Sequence, residues 1–172
     1  LPPAACEKGS IRMTYTTYYS SPLGKIILVS NGAALTELDF AENGLPASVE
    51  HTQKDLPVFE EVYRWLDVYF AGRDPGALPP LSPHGTAFQQ AVWNILRGIP
   101  YGTTTTYGRI AAHIAAARGG RMSAQAVGGA VGRNPISILI PCHRVIGADG
   151  SLTGYAGGLD KKEALLRLEG VR

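Results

Sequence analysis

The sequence predicts a mixed α/β (α+β) protein in two parts. A small N-terminal β-sheet-plus-helix unit precedes a mostly helical C-terminal unit that contains a helix-turn-helix. Three observations carry this. Residues 13–40 are runs rich in Thr, Tyr, Ile and Val separated by turn-forming breaks. Residues 58–72, and much of the chain after residue 85, place apolar residues at helical spacing. Between them "RDPGALPPLSPHG" (73–85) is crowded with Pro and Gly, and the charge balance changes there. Residues 1–83 hold 6 Lys/Arg against 10 Asp/Glu, and residues 84–172 hold 10 against 4. The expected organisation is a flexible or appended tail over 1–12, an N-terminal structural domain over 13–80 and a C-terminal domain over 84–172.

The elements follow in order. "MTYTTYYSSPLGKIILVSNGAALTELDF" breaks at Ser21-Pro22-Leu23-Gly24 and at Asn31-Gly32, which predicts a β-meander. In "VFEEVYRWLDVYFAG" the residues Val58, Val62, Trp65, Leu66, Tyr69 and Phe70 recur at helical spacing, with Gly72 as the stop. "TAFQQAVWNILRGI" puts Phe88, Val92, Ile95 and Leu96 on one stripe. A helix from about Tyr107 to Ala117 follows, and "SAQAVGGAVGRNP" offers Ser123 as the N-cap of the next. Two short helices joined by a Gly-containing turn in a basic segment predict the helix-turn-helix, although "ARGGRM" is longer than its compact form. The last helix, "LDKKEALLRLEG", keeps Leu159, Leu165, Leu166 and Leu168 for packing.

Composition narrows the function classes. Of 172 residues, 45% are hydrophobic and 17% charged, which is a globular balance. No apolar run reaches the roughly 20 residues of a membrane helix, and the start lacks a signal-peptide layout. A cytoplasmic location is therefore expected. The two cysteines, Cys6 and Cys142, and the four histidines show no metal-ligand spacing, so no metal site is expected. A near-neutral whole with a basic C-terminal half suggests a polyanionic partner for that half.

Two stretches bear on chemistry. In "ILIPCHRVIG" (138–147), Ile138 to Ile140 read as a buried strand that Pro141 ends, leaving Cys142, His143 and Arg144 at its tip. They form either a buried thiol beside a surface pair or a cysteine whose proton is meant to leave. Neighbouring side chains on an extended chain point to opposite faces, so a direct Cys142–His143 bond is not expected. "AVGGAVG" makes a poor helix, since each Gly costs roughly 1 kcal/mol relative to Ala. Its small residues serve either close helix packing or entry into a groove about 6 Å wide.

Pro141-Cys142-His143-Arg144-Val145, with Asn134-Pro135-Ile136-Ser137-Ile138 before it, resembles the active-site signature of the methylated-DNA–protein cysteine methyltransferases, the O6-alkylguanine-DNA alkyltransferases. "AVGGAVGRNP" upstream and "GSLTGYAGG" downstream extend the likeness, which is strongest from Gly85 to Gly170 and touches "SSPLGKIILV". The resemblance implies a ribonuclease-H-like N-terminal fold. It implies repair of double-stranded DNA containing alkylated guanine by a monomer without cofactor, after minor-groove binding and base flipping. Cys142 would take a methyl or alkyl group from O6 of guanine, and also from O4-alkylthymine. The thioether is irreversible, so the protein is consumed in one turnover.

It also implies roles. His143 polarises Cys142 through a bridging water and is oriented by Glu169, for which the lesser alternative is a solvated helix-end carboxylate. Tyr107 donates a proton towards the leaving base, and Asn134 ties the recognition helix to the cysteine segment. Tyr155 walls the base pocket with Gly157, while backbone groups of Val145 and Ala156 read the guanine edge. Ala124, Ala126, Gly128 and Gly129 face the groove, with Arg121, Arg133 and Arg144 as further DNA contacts. The sequence departs from the pattern 17 residues before Cys142, where an arginine is usual and Gln125 stands. Either Gln125 or Arg121 then fills the gap left by the flipped base. Two other classes fit less well. Non-catalytic lesion binders lack the nucleophile that Cys142 supplies, and a cysteine hydrolase needs an oxyanion hole that no motif here provides.

Overall fold

Gly24 adopts φ +125°, a region that L side chains avoid, and so closes the turn between β1 (Thr14–Ser21) and β2 (Gly24–Ser30). Both this antiparallel pair and β2 with β3 (Leu35–Phe40) follow the predicted meander. The computed structural model describes residues 14–43, 51–53, 55–155 and 158–172. A fourth strand, β4 (His51–Gln53), lies parallel to β1, giving the order β3-β2-β1-β4. Three residues are too few to show periodicity, and the sequence does not signal it. Helix α1 (Pro57–Phe70) packs on β1 and β2, burying Val58, Phe59, Val62, Leu66 and Tyr69 along one face. Gly72, at φ +81°, ends it.

The C-terminal half begins with α2 (Ala87–Arg97), started by a capping box between Thr86 and Gln89. β5 (Thr105–Thr106), α3 (Tyr107–Arg118) and α4 (Ala124–Gly132) follow. Residues 119–123 join α3 to α4. Gly119 caps α3 at φ +70°, and Ser123 Oγ accepts from the Ala126 N–H at 3.0 Å, as its sequence position predicts. β6 (Val145–Ile146) runs parallel to β5, and α5 (Leu159–Leu168) closes the chain. The expectation for α5 is corrected at one end: Leu159 is 49% exposed, whereas Lys162 is fully buried beside Leu165 and Leu166. No described helix is long and apolar enough to cross a membrane.

The predicted strand over residues 138–140 is also corrected. These residues form a buried turn, and Cys142–Arg144 is a short 3-10 turn rather than a strand end. Ile138 sits at φ +72°, which costs a β-branched residue on the order of 1–3 kcal/mol. Packing and hydrogen bonds hold it there: Ile138 is 1% exposed, Leu139 N–H donates to Ser137 O at 2.8 Å, and Ile140 N–H to Ile136 O at 3.1 Å.

The free edge of β3 is covered from two directions. Leu38 N–H donates to Pro135 O and Ser137 N–H to Leu38 O, both at 2.9 Å. Leu35 N–H donates to Pro80 O at 2.9 Å, and Ser82 N–H to Leu35 O at 2.8 Å. The Pro- and Gly-rich segment is therefore anchored to the sheet, and the cysteine turn is built directly on β3. One hydrophobic core runs through both halves, from Leu38, Phe59 and Leu66 to Trp93, Ile110 and Val131.

Candidate active site

Glu169, at the C-terminal end of α5, collects four hydrogen bonds and is 7% exposed. His143 Nε2 lies 2.5 Å from its Oε2, and the Tyr69 hydroxyl donates to the same oxygen at 2.7 Å. Arg144 Nε donates to Oε1 at 2.8 Å and the Gly102 N–H at 2.9 Å. Burial alone would raise this carboxyl, but the donors from His143, Arg144 and Gly102 outweigh it and hold its pKa down at about 2. His143 is fully buried, and burial pushes its pKa below the usual imidazole value against the pull of Glu169. The ring is thus neutral at neutral pH, and the tautomer that suits the ionised Glu169 keeps its proton on Nε2 and donates it to the carboxylate. Its Nδ1 is buried without a protein partner among the described residues and keeps its lone pair free.

Cys142 is 7% exposed, and burial raises its thiol pKa while the Asn134 amide and the Lys162 ammonium oppose the rise. Cys142 at rest is consequently a thiol. The Asn134 side chain binds the turn at both ends, donating from Nδ2 to Ile140 O at 2.7 Å and accepting from the Ile136 N–H at 3.0 Å.

A cavity of about 670 Å³ opens between α4 and the segment around residue 154. Tyr107, Gln125, Gly128, Thr153 and Tyr155 are among its walls. Two of these wall residues, Tyr107 and Tyr155, interact electrostatically with the buried Cys142 thiol. The Tyr107 hydroxyl donates to Thr153 O at 3.0 Å, and burial raises its pKa, which keeps it a proton donor. Ala156 and Gly157 lie outside the described residues.

The structure brings Cys142, His143, Glu169, Tyr107, Asn134 and Tyr155 around one centre. Ala124, Gln125, Ala126 and Gly129 on α4, with Arg121 and Arg133 at its two ends, are exposed, and Gly128 is half-buried. A Cβ on Gly129 or Gly132 would meet nothing within 4 Å, and one on Gly128 only Tyr107 at 3.8 Å. Close helix packing therefore does not require these glycines.

Two expectations change. Arg144 turns inward instead of towards DNA: it is 7% exposed and also donates to Ile99 O at 2.7 Å. Val145 already uses both backbone groups, giving its N–H to Cys142 O and accepting Lys162 Nζ at 2.6 Å, so only the second lone pair of its carbonyl remains for a base. Two residues were missed. Tyr69 reaches the carboxylate from α1, and Lys162 donates to Val145 O and to Thr153 O at 2.7 Å. Burial brings the Lys162 pKa down to about 8. A lysine in an amphipathic helix reads as solvated, and no local pattern marks either residue.

Comparison with known proteins bears directly on this geometry. Residues 14–78 match the family described as 6-O-methylguanine DNA methyltransferase, ribonuclease-like domain, and residues 87–171 match the DNA binding domain of the same name. The chain belongs to the methylated-DNA–protein-cysteine methyltransferases. It is an enzyme of that class, and its partner is DNA. The relative from Haemophilus influenzae is 48% identical over 159 residues, covering 91% of this chain and 87% of its own. That from Methanosarcina acetivorans is 46% identical, covering 91% and 98%. The crystal structure of the Mycobacterium tuberculosis O6-methylguanine methyltransferase superposes with a TM-score of 0.80 at 42% identity, covering 93% of this chain and 94% of that one. A second structure of the Mycobacterium tuberculosis protein, in complex with DNA, gives 0.77 at 42% identity over 91% and 92%.

Proposed function

We propose that Cys142 accepts the alkyl group of an O6-alkylated guanine flipped out of duplex DNA into the cavity beside Tyr107 and Tyr155. The observation that carries this reading is the buried His143 that follows Cys142, with Nε2 bound to Glu169 and Nδ1 unengaged; a pocket large enough for a base, walled by Tyr107 and Tyr155, supports it. In the step, the sulfur forms a bond to the alkyl carbon as the carbon–O6 bond breaks. The thiol proton passes to His143 Nδ1 through water, and Glu169 stabilises the imidazolium. The electron pair leaves on the base, the Tyr107 hydroxyl, released from Thr153 O, donates a proton to it, and the phenolate regains a proton from solvent as the imidazolium gives its own up to solvent. Guanine is restored, and the thioether on Cys142 is permanent, so each molecule acts once.

The exposed α4 surface, bare of large side chains at Gly129 and Gly132, supports minor-groove binding by this helix. Gln125 lines the cavity and is the group suited to the space left by the base, while Arg121 and Arg133 face phosphates. Residues 84–172 thus bind DNA and transfer the group, and residues 13–80 support them. The protein acts as a monomer in the cytoplasm, and O4-alkylthymine is a second substrate.

The test is incubation with a duplex carrying methyl-labelled O6-methylguanine, followed by peptide mass analysis. One methyl on the peptide bearing Cys142, with no further turnover, is expected. Absence of transfer, or continuing release of methylated product, defeats the reading.

A further inference from the structure

We infer that Tyr69, contributed by the N-terminal half, is a positioning residue of the transfer reaction, because its hydroxyl shares Glu169 Oε2 with His143. The inference rests on the role proposed for His143. The three groups form a closed triangle: Tyr69 to Glu169 at 2.7 Å, His143 Nε2 to Glu169 at 2.5 Å, and the Tyr69 hydroxyl to His143 Nε2 at 3.3 Å. The Tyr69 ring is fully buried and cannot drift. Trp65 stacks on it at 5.4 Å between centroids, and Phe70, Tyr101 and His143 meet it edge-on.

A carboxylate oxygen that accepts two hydrogen bonds divides its charge between them. With Tyr69 present, Oε2 is a weaker base towards His143 and stabilises the imidazolium less. The resting imidazole therefore stays neutral, which is the state that can accept a proton from Cys142. Without the hydroxyl, Oε2 serves His143 alone, and the ring becomes protonated at higher pH. The other groups facing His143 are constant in this comparison: Arg144 on the same turn, Lys162 on α5, Tyr101 beside Glu169, and the Cys142 thiol. Burial and the neighbouring carboxylate both raise the Tyr69 pKa, so it remains a donor throughout. This gives the N-terminal half a chemical part beyond support.

A phenol in a packed aromatic cluster would also be explained by stability alone, and the test separates the two. Tyr69→Phe keeps the ring and removes only the oxygen. Tyr63→Phe is the control, since the Tyr63 hydroxyl pairs with Thr17 Oγ1 at 2.5 Å on the same helix, away from Glu169. Single-turnover methyl transfer at saturating methylated duplex, and Cys142 alkylation by iodoacetamide, are measured across pH. For Tyr69→Phe the acid limb of both profiles should move up by about one pH unit, and transfer well below the wild-type limb should slow roughly tenfold, with at most about a threefold loss at pH 7. Affinity for unmodified duplex should not change, and Tyr63→Phe should move neither profile. A Tyr69→Phe profile superimposed on the wild type, or an equal shift in Tyr63→Phe, overturns the inference. If Tyr69→Phe does not fold, 3-fluorotyrosine at position 69 strengthens the donor instead, and the acid limb should move down; no movement is again fatal. Failure of the proposed function reads differently, as absence of methyl transfer in the wild type with the iodoacetamide profiles intact.

Discussion

The Asn134 side chain and the Ile140 carbonyl are joined at 2.7 Å, a bond that crosses the turn carrying the left-handed Ile138 and sets Cys142 two residues further on. The same side chain receives the Ile136 N–H, so it braces the turn from the other side of the bridge that Pro135 and Ser137 make to Leu38. Asn134→Ala leaves the Ile136 N–H without its partner and the Ile140 carbonyl with only the Cys142 N–H, and a loss of about 1–3 kcal/mol is expected. Urea denaturation measures it. Methyl transfer should fall further than stability, since the freed turn no longer holds the thiol.

Glu169→Gln should cost about 3–5 kcal/mol, because the buried Arg144 guanidinium loses its counter-charge. The pH dependence has a defined sign. The folded Glu169 pKa of about 2 lies below the unfolded value of about 4.3, so its contribution is complete above the unfolded value and is lost as pH falls through the folded one. Urea midpoints of wild type and variant should therefore converge between about pH 4 and pH 2. A gap that stays constant over that window would show that Glu169 is not held ionised by its donors.

Gly129 faces open space on an exposed helix, so stability and function should separate there. Gly129→Ala is expected to stabilise the fold by up to about 1 kcal/mol, read as a rise in melting temperature. Gly129→Leu should leave the fold intact and weaken duplex binding at least tenfold, seen by fluorescence anisotropy, because the side chain occupies the space of the groove wall.

Gln125 lines the cavity, and Arg121 stands exposed in the turn before α4. Gln125→Ala should reduce methyl transfer from duplex but much less from single-stranded substrate, which leaves no hole to fill. Arg121→Ala should instead lower affinity evenly across sequences and reduce the salt dependence of binding by about one phosphate contact. Equal and strand-independent losses in both variants would argue against a side-chain finger at either position.

The sequence by itself determined the meander, the helix caps and stops, the helix-turn-helix pair and the residues of the Cys142 signature. Each depends on neighbours within a few positions: Gly24 at a left-handed turn, Thr86 with Gln89 in a capping box, Ser123 at a helix start. Tertiary structure decided what those residues do to one another. Tyr69 and Glu169 are 100 residues apart, and no local pattern states that a helix of the N-terminal half ends against the carboxylate of the C-terminal one. The apolar run at residues 138–140 has the composition of a strand, yet β3 already supplies the ladder at Leu38, and what is left of the segment must turn. Arg144 and Lys162 read as surface cations because charge ordinarily seeks water. Only the packed core, which closes around Glu169 and the carbonyls of Val145, Thr153 and Ile99, makes inward positions favourable for them.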